Sequence, residues 1–380
     1  MSAYSRSAIA VAALVCVVCA LGIGANAQIT VTSPVNNSTI SMPAQLTASV
    51  SACAGSSNIT LFGYSINSSV FFTRSPNNGL SKQINTTDYR LSSQPSPGTQ
   101  YTIRYKAWSS AGECPEVDVV VNVSGPATST ASNLDQVQNA NGWDPNPCPE
   151  TQKSTYGLVG WFWVWDAGTA KCIESDSSTY PVGGSGEPSG PSIDGQSRLF
   201  YVDWESASSG GNPGMRSSEN YGNSSSATNF VYDTYLYFKD PQNVQNVEMD
   251  MNQADSGGNL FIYGVQCAGP SYDSWQYTTN SGGSHWNSSS LSCNPQTWAA
   301  DEWHHVQIAA HRVGNSVSYD TVTFDGTTQS FNVSNVDSYF PGAGWTPGAL
   351  LLNFQIDGIY NAGKEATATT YIDGMTMIWW

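Results

Sequence analysis

The stretch "NVEMDMNQADSGG", residues 246 to 258, carries two acids, Glu248 and Asp250, two positions apart. In an extended chain alternate side chains share a face, so this spacing sets both carboxyl groups side by side. Paired carboxyls serve the cleavage of a glycosidic bond, in which one attacks or activates water while the other protonates the leaving oxygen. The next positions along the same segment, Asn252 and Gln253, are amides. An amide delivers no proton at ordinary pH, and losing a general acid removes a factor of about 100 to 10,000 in rate. Glu248, Asp250, Asn252 and Gln253 suit a second task, exchanging hydrogen bonds with sugar hydroxyls. The alternating apolar set, Val247, Met249 and Met251, is expected to face a core and leave the acids on an open, concave surface.

Sugar rings also present an apolar face, which aromatic side chains cover. The segment "YDSWQYTTNSGGSHWNSSS", residues 272 to 290, gathers Tyr272, Trp275, Tyr277, His285 and Trp286 among Gly, Ser and Asn. A bridge between Cys267 and Cys293 would close this loop and preorganise a binding edge. Tyr263, one strand away, is a weaker candidate for the floor. The bland alternative is that these rings fill a minor core at the sandwich end, and that the acids are merely solvated. "WFWVW" (161 to 165) reads as core filling. The adjacent pair His304 and His305 points to opposite faces of a strand, which disfavours a shared metal. No HExxH, EF-hand, phosphate-binding Gly loop or GxSxG elbow is present.

The elements that must position these residues are strands. Apolar alternation marks 29–34, 45–52, 59–66, 101–108 and 117–123, then longer segments at 158–165, 198–205, 230–238, 244–251, 259–266, 303–311, 317–325, 349–356 and 370–380. The expected class is all-β, with a small sandwich followed by two large antiparallel sheets packed face to face. Residues 1–27 read as a signal peptide, with Arg6, an apolar run of roughly 17 residues and a small-residue Ala25-Asn26-Ala27 end. Residues 28–124 form the first domain, 125–149 a linker and lead-in, and 150–380 the second domain.

The formal charge is -16, with 13 Lys and Arg against 29 Asp and Glu. Basic residues are thinly spread, so neither nucleic acid nor an anionic membrane is an expected partner. After the leader no apolar run is long enough to span a bilayer, and no membrane insertion is expected. An exported protein, extracellular or periplasmic, explains the six remaining cysteines as disulfides: Cys53 with Cys114, Cys148 with Cys172, and Cys267 with Cys293.

"ITVTSPVNNSTISMPAQLTASV" and "YTIRYKAWSSAGE" resemble bacterial immunoglobulin-like modules, in which the usual role is a spacer. "EMDM" with its hairpin to "NLFIYGVQ", then "EWHHVQIAAHR", "VSYDTVTFDGTTQSF" and "YIDGMTMIWW" resemble the concanavalin A-like lectin/glucanase superfamily, including laminin G-like domains and laminarinase-type β-glucanases. That resemblance implies a jelly-roll sandwich and a polysaccharide or glycan partner. Against the ExDxE or ExDxxE pattern of laminarinase-type enzymes, Glu248 matches the nucleophile and Asp250 its helper, while the acid/base position falls on Asn252 or Gln253. The implied role is therefore binding without efficient hydrolysis. The alternatives are a β-glucanase-like hydrolase that recruits Asp255, Glu205 or Asp203, and an adhesion module that meets protein. No cofactor is required by any motif, though the superfamily resemblance implies Ca2+, for which carbonyls of "DSGGN" (255 to 259) could serve.

Overall fold

The computed structural model describes residues 29–40, 44–53, 56–66, 72–74, 83–88, 100–109, 111–124, 132–134, 136–139, 143–144, 175–182, 190–193, 196–204, 210–220, 223–270, 272–280, 286–358 and 366–380. The leader, "WFWVW", Cys148, Cys172, His285 and Glu205 lie outside them. Among the described residues the regular structure is β, joined by short 3-10 turns, as the alternating sequence requires.

In the N-terminal part, β1 (Ile29–Ser33), β3 (Ala44–Val50) and β6 (Gln83–Asp88) make one sheet. β2 (Ser38–Ile40), β9 (Val117–Val123), β7 (Gln100–Ser109), β4 (Ile59–Ile66) and β5 (Phe72–Arg74) make a second, with β8 (Gly112–Glu113) beside β7. Alternation of buried with half-buried or exposed positions in β3 and β7 turns Leu46, Ala48, Ile103 and Tyr105 into a common core. Cys53 and Cys114 are bonded at the edge of that core, with Cα atoms 5.0 Å apart.

Residues from 132 onward build two larger sheets around a separate core. Sheet I runs β12 (Ser175–Val182), β13 (Ser197–Trp204), β25 (Ala366–Trp379), β15 (Asn229–Phe238), β20 (Trp303–Val313), β21 (Ser316–Phe324), β22 (Thr327–Asp337), with β10 (Ser132–Leu134) on β25. Sheet II runs β11 (Trp143–Asp144), β14 (Gly210–Asn220), β24 (Ala349–Gly358), β16 (Val244–Ala254), β17 (Leu260–Ala268), β18 (Ser274–Thr278), β19 (Trp286–Ser292), with β23 (Tyr339–Phe340) on β17. Phe230, Tyr232, Leu236, Ile308 and Met377 of sheet I meet Met249, Met251, Val265, Phe354 and Ile356 of sheet II. The expected inward face of 247, 249 and 251 is what forms this core. Several strands carry little apolar signal in the sequence. β14, "GGNPGMRSSEN", and β22, mostly exposed, take their places through pairing with neighbours.

The β16–β17 hairpin turns at Asp255, whose carboxylate accepts hydrogen bonds from the Gly257 and Asn259 backbones and the Asn259 amide. Gly258 then adopts φ +72°, and a Cβ there would come within 2.6 Å of the Trp345 carbonyl, so only glycine fits. Burial opposes ionisation of Asp255, but these bonds prevail and hold its pKa below the ordinary range.

A buried acid ties the lead-in segment to sheet I. Asp373, fully closed to solvent, accepts from Ser192 Oγ at 2.8 Å, Ile193 N at 2.6 Å, Gly374 N at 2.7 Å and Gln138 Nε2 at 3.2 Å. Gln138 in turn accepts from Met375 N through Oε1 and from Arg198 Nε through its backbone carbonyl. Removing the carboxylate leaves several donors unmet in a dry site. Asp373→Ala should therefore lower the unfolding free energy by about 3–5 kcal/mol, read as a fall in urea midpoint. A midpoint equal to wild type would show that the clamp contributes little.

Candidate functional site

Register decides which side chains share a face. Glu248 pairs with Gln266 on one side and Gln355 on the other, and Asp250 with Gly264 and Asn353. Gln266 pairs with Gln276 and Gln276 with Ser288, while Thr278 pairs with Trp286. Two polar rows thus cross sheet II on the side away from the shared core. One reads Gln355, Glu248, Gln266, Gln276, Ser288. The other reads Asn353, Asp250, Gly264, Thr278, Trp286. Below them Asn252 sits between Ile262 and Leu351.

Hydrogen bonds link part of each row. Asn353 Nδ2 donates to Glu248 Oε1 at 3.2 Å, Gln266 Nε2 to Gln276 Oε1 at 2.5 Å, and Gln276 Nε2 to Ser288 Oγ at 3.1 Å. Gly264 is obligatory within the second row. A Cβ there would lie 2.5 Å from both Asp250 Oδ1 and Thr278 Cγ2, so the strand is notched where the two side chains converge.

The expectation that these acids look onto open water is not met. Glu248 is 1% exposed, and Asp250 and Asn252 are 0% exposed. Neither oxygen of Asp250, neither polar atom of the Asn252 side chain, nor Gln266 Oε1 has a partner at hydrogen-bond geometry. Burial pushes the Asp250 carboxyl up to about 6; Glu248 and Asn353 lie close enough to offset part of that penalty without completing a bond.

Other expected residues fall elsewhere. Gln253 lies on the core face with Phe261 and Leu350, and its side chain is fully engaged. It donates to the Ser224 and Ala227 carbonyls and accepts from Tyr263 Oη and Arg312 Nε, both at 3.1 Å. It is a structural hub rather than a ligand contact, and Tyr263, also fully buried, supports it. Trp275 pairs with Cys267 and is 1% exposed in the core, with half-buried Tyr277 packed alongside. Strand alternation carries both rings to the side opposite Glu248, so neither stacks on a ligand at that face. Trp286 is the aromatic residue of the loop that register places on the polar face, half-buried at the edge of the sheet. The Cys267–Cys293 bond is present, with Cα atoms 5.3 Å apart.

Gln266, Gln276, Asn353 and Gln355 were missed as site residues. "NFQI" within "ALLLNFQI" does carry a two-residue alternation of polar and apolar positions that could have found two of them. His304 and His305 do point to opposite faces: His304 Nδ1 meets Asp325, while His305 Nε2 meets Asp233 and its ring stacks on Tyr235. Among the described residues no group of three metal-ligating side chains occurs, and the Asp255 carboxylate is engaged in its own turn. No helix among them is long and apolar enough to cross a membrane.

No protein-family model matches the sequence, and no curated protein matches it. Among solved structures the chain is similar to carbohydrate-binding modules of the β-sandwich superfamily, at 9% identity and a TM-score of 0.27, over 92% of this chain and 96% of that one. It is similar to the Bacillus licheniformis β-glucanase at 13% identity and 0.31, over 66% and 99%. It is similar to the alginate lyase Aly36B at 10% identity and 0.30, over 48% and 80%. Scores this low decide neither family nor ligand, so the functional reading stands on the polar face.

The raised pKa of Asp250 fixes a sign. A carboxyl whose folded pKa exceeds its unfolded value stabilises the fold fully below about pH 3.8, and that contribution is lost as pH rises through about 6. Asp250→Asn should therefore raise stability at pH 8 by about 2–3 kcal/mol and leave it nearly unchanged at pH 3.5. Chemical denaturation at the two pH values checks this; an equal change at both would remove the titration of Asp250 as its cause.

Proposed function

We propose that this protein is an exported glycan-binding protein whose second sandwich holds a polysaccharide or oligosaccharide across the polar face of sheet II, without efficient hydrolysis. The reading rests on three side chains of the sheet II face turned away from the core: Asp250, Asn252 and Gln266 Oε1 are buried there without a hydrogen-bond partner. Leaving such groups dry costs about 1–3 kcal/mol each. A polyhydroxylated chain supplies donors and acceptors at the spacing of neighbouring strands, and Trp286 at the end of the second row offers a ring face. Because the atoms are closed to solvent, ligand entry requires that face to open.

Hydrolysis has one observation in its favour: Asp250 titrates near 6 beside Glu248, as an acid and nucleophile pair does. Against it, the cross-strand neighbours of the two acids are Gln266, Gln355, Gly264 and Asn353, none of which can replace the missing acid. Asp255 lies seven residues along the strand, about 23 Å from Glu248, far beyond the 5–5.5 Å that retaining chemistry needs. Asp203 belongs to β13 of sheet I. The leader-like N-terminus and the two disulfides support export, and the N-terminal sheets fit a supporting module.

Electrophoresis through gels containing neutral or acidic polysaccharides should show retardation by at least one of them, with no new reducing ends released. Trp286→Ala should weaken retention about tenfold. Asn252→Leu should weaken retention while raising stability by about 1–2 kcal/mol, because it removes an unpartnered amide from between Ile262 and Leu351. Reducing ends that vanish in Glu248→Gln would establish a hydrolase; absence of both retardation and cleavage across the panel would leave the glycan reading without support.

A further inference from the structure

A cavity of about 660 Å³ opens where the β18–β19 and β20–β21 ends of the sheets approach, on the core side of sheet II and away from Glu248. Its floor is aromatic. The Trp298 and Phe324 rings stack with centroids 4.9 Å apart and planes at 29°, and His304 stacks on Phe324 at 5.5 Å and 10°. Asp273, Thr327 and Gln329 are exposed at the rim. We propose that this cavity is a second carbohydrate site, taking one or two rings at the end of a neutral oligosaccharide.

The size suits one or two sugar rings, since ligand pockets run from about 300 to 1,000 Å³. An apolar floor with polar groups around it matches a pyranose, whose C–H face is apolar and whose hydroxyls project sideways. Charge chooses among ligands. His304 Nδ1 meets Asp325 Oδ2 at 2.8 Å and its Nε2 meets the Ala299 carbonyl at 3.0 Å, so both nitrogens are engaged. Burial disfavours the imidazolium, but Asp325 outweighs it and holds the pKa above the ordinary histidine value. Asp325 also accepts from the His305 backbone at 2.9 Å, and Asp273 Oδ1 is bonded to the Asn294 amide at 2.6 Å. Both lining carboxylates, Asp273 and Asp325, are already hydrogen-bonded to the protein, and among the described residues no Lys or Arg lines the cavity to receive a uronic acid. A neutral sugar needs neither a free carboxylate nor a basic side chain.

Two tight turns build the rim: Asp325 (φ 46°) and Gly326 (φ 79°) form the two-residue hairpin turn between β21 and β22, and Asp273 (φ 49°) precedes β18. The Cys267–Cys293 bond fixes the adjoining strand ends.

The site is independent of the polar face, and its test is built to separate the two. Calorimetric titration and tryptophan fluorescence would follow laminaritetraose, cellotetraose, maltotetraose and an alginate tetrasaccharide, first in a Trp286→Ala/Asn252→Leu background. At least one neutral tetraose should bind this background with sub-millimolar Kd, and the alginate probe should not. Gln329→Trp, on an exposed position of an edge strand, should then weaken that binding tenfold or more with the melting temperature unchanged; Thr327→Trp should do the same. Wild type that binds a neutral tetraose and loses it with Gln329→Trp alone would uphold the cavity and show that the polar face does not hold that tetraose. No neutral tetraose bound by the background, or wild-type affinity in both folded tryptophan variants, would overturn the proposal.

Discussion

A strand in the middle of a sheet has two faces and one hydrogen-bonding backbone, and β16 must close both faces to water at once. On the core side Val247, Met249 and Met251 do this as apolar strands ordinarily do. On the other side Glu248, Asp250 and Asn252 are closed to water while still polar. Everything distinctive about the site follows from that second closure: the unmet oxygens, the upward shift of Asp250 and the notch at Gly264. A fold selected for stability alone would place leucine or valine there.

Buried polar groups of this molecule differ in how far they are partnered, and Thr234 Oγ1, Trp345 Nε1 and Thr370 Oγ1 are also without a partner. Asp373 and Gln253 are as buried as Asp250, yet Asp373 meets four donors and both ends of the Gln253 amide are bonded. Satisfied groups of this kind fix one arrangement of the chain. Asp250 and Asn252 are buried without such partners, a cost that the proposed glycan would offset. Burial alone would have grouped all four together.

Much of the architecture was legible because apolar alternation with period two is a direct imprint of a half-buried strand. The segments at 230–238, 244–251, 303–311 and 349–356 coincide closely with β15, β16, β20 and β24. β14, β19 and β22 were not legible, since Gly, Ser and Thr there carry no pattern and the pairing partner supplies the order. Within the site, placement of Glu248 and Asp250 opposite the methionines followed from alternation alone. Their closure to water did not, because burial of a polar face depends on parts of the chain distant in sequence. Trp275 and Trp286 looked equivalent in the sequence, and one register step at β18–β19 sends them to opposite sides of the sheet. The fully engaged state of Gln253 depends on Ser224, Ala227 and Arg312, which no local spacing could associate with it.

Sugar hydroxyls complete Asp250 and Asn252 in the proposed complex, and a crystal of the protein soaked with a retained oligosaccharide would reveal those bonds or their absence. Ordered sugar density is expected over the two rows, with hydroxyl oxygens within about 3.2 Å of the Asp250 and Asn252 side chains and a ring face against Trp286. Density that leaves this face empty, with Asp250 and Asn252 bonded to groups of the protein itself, would contradict the glycan reading.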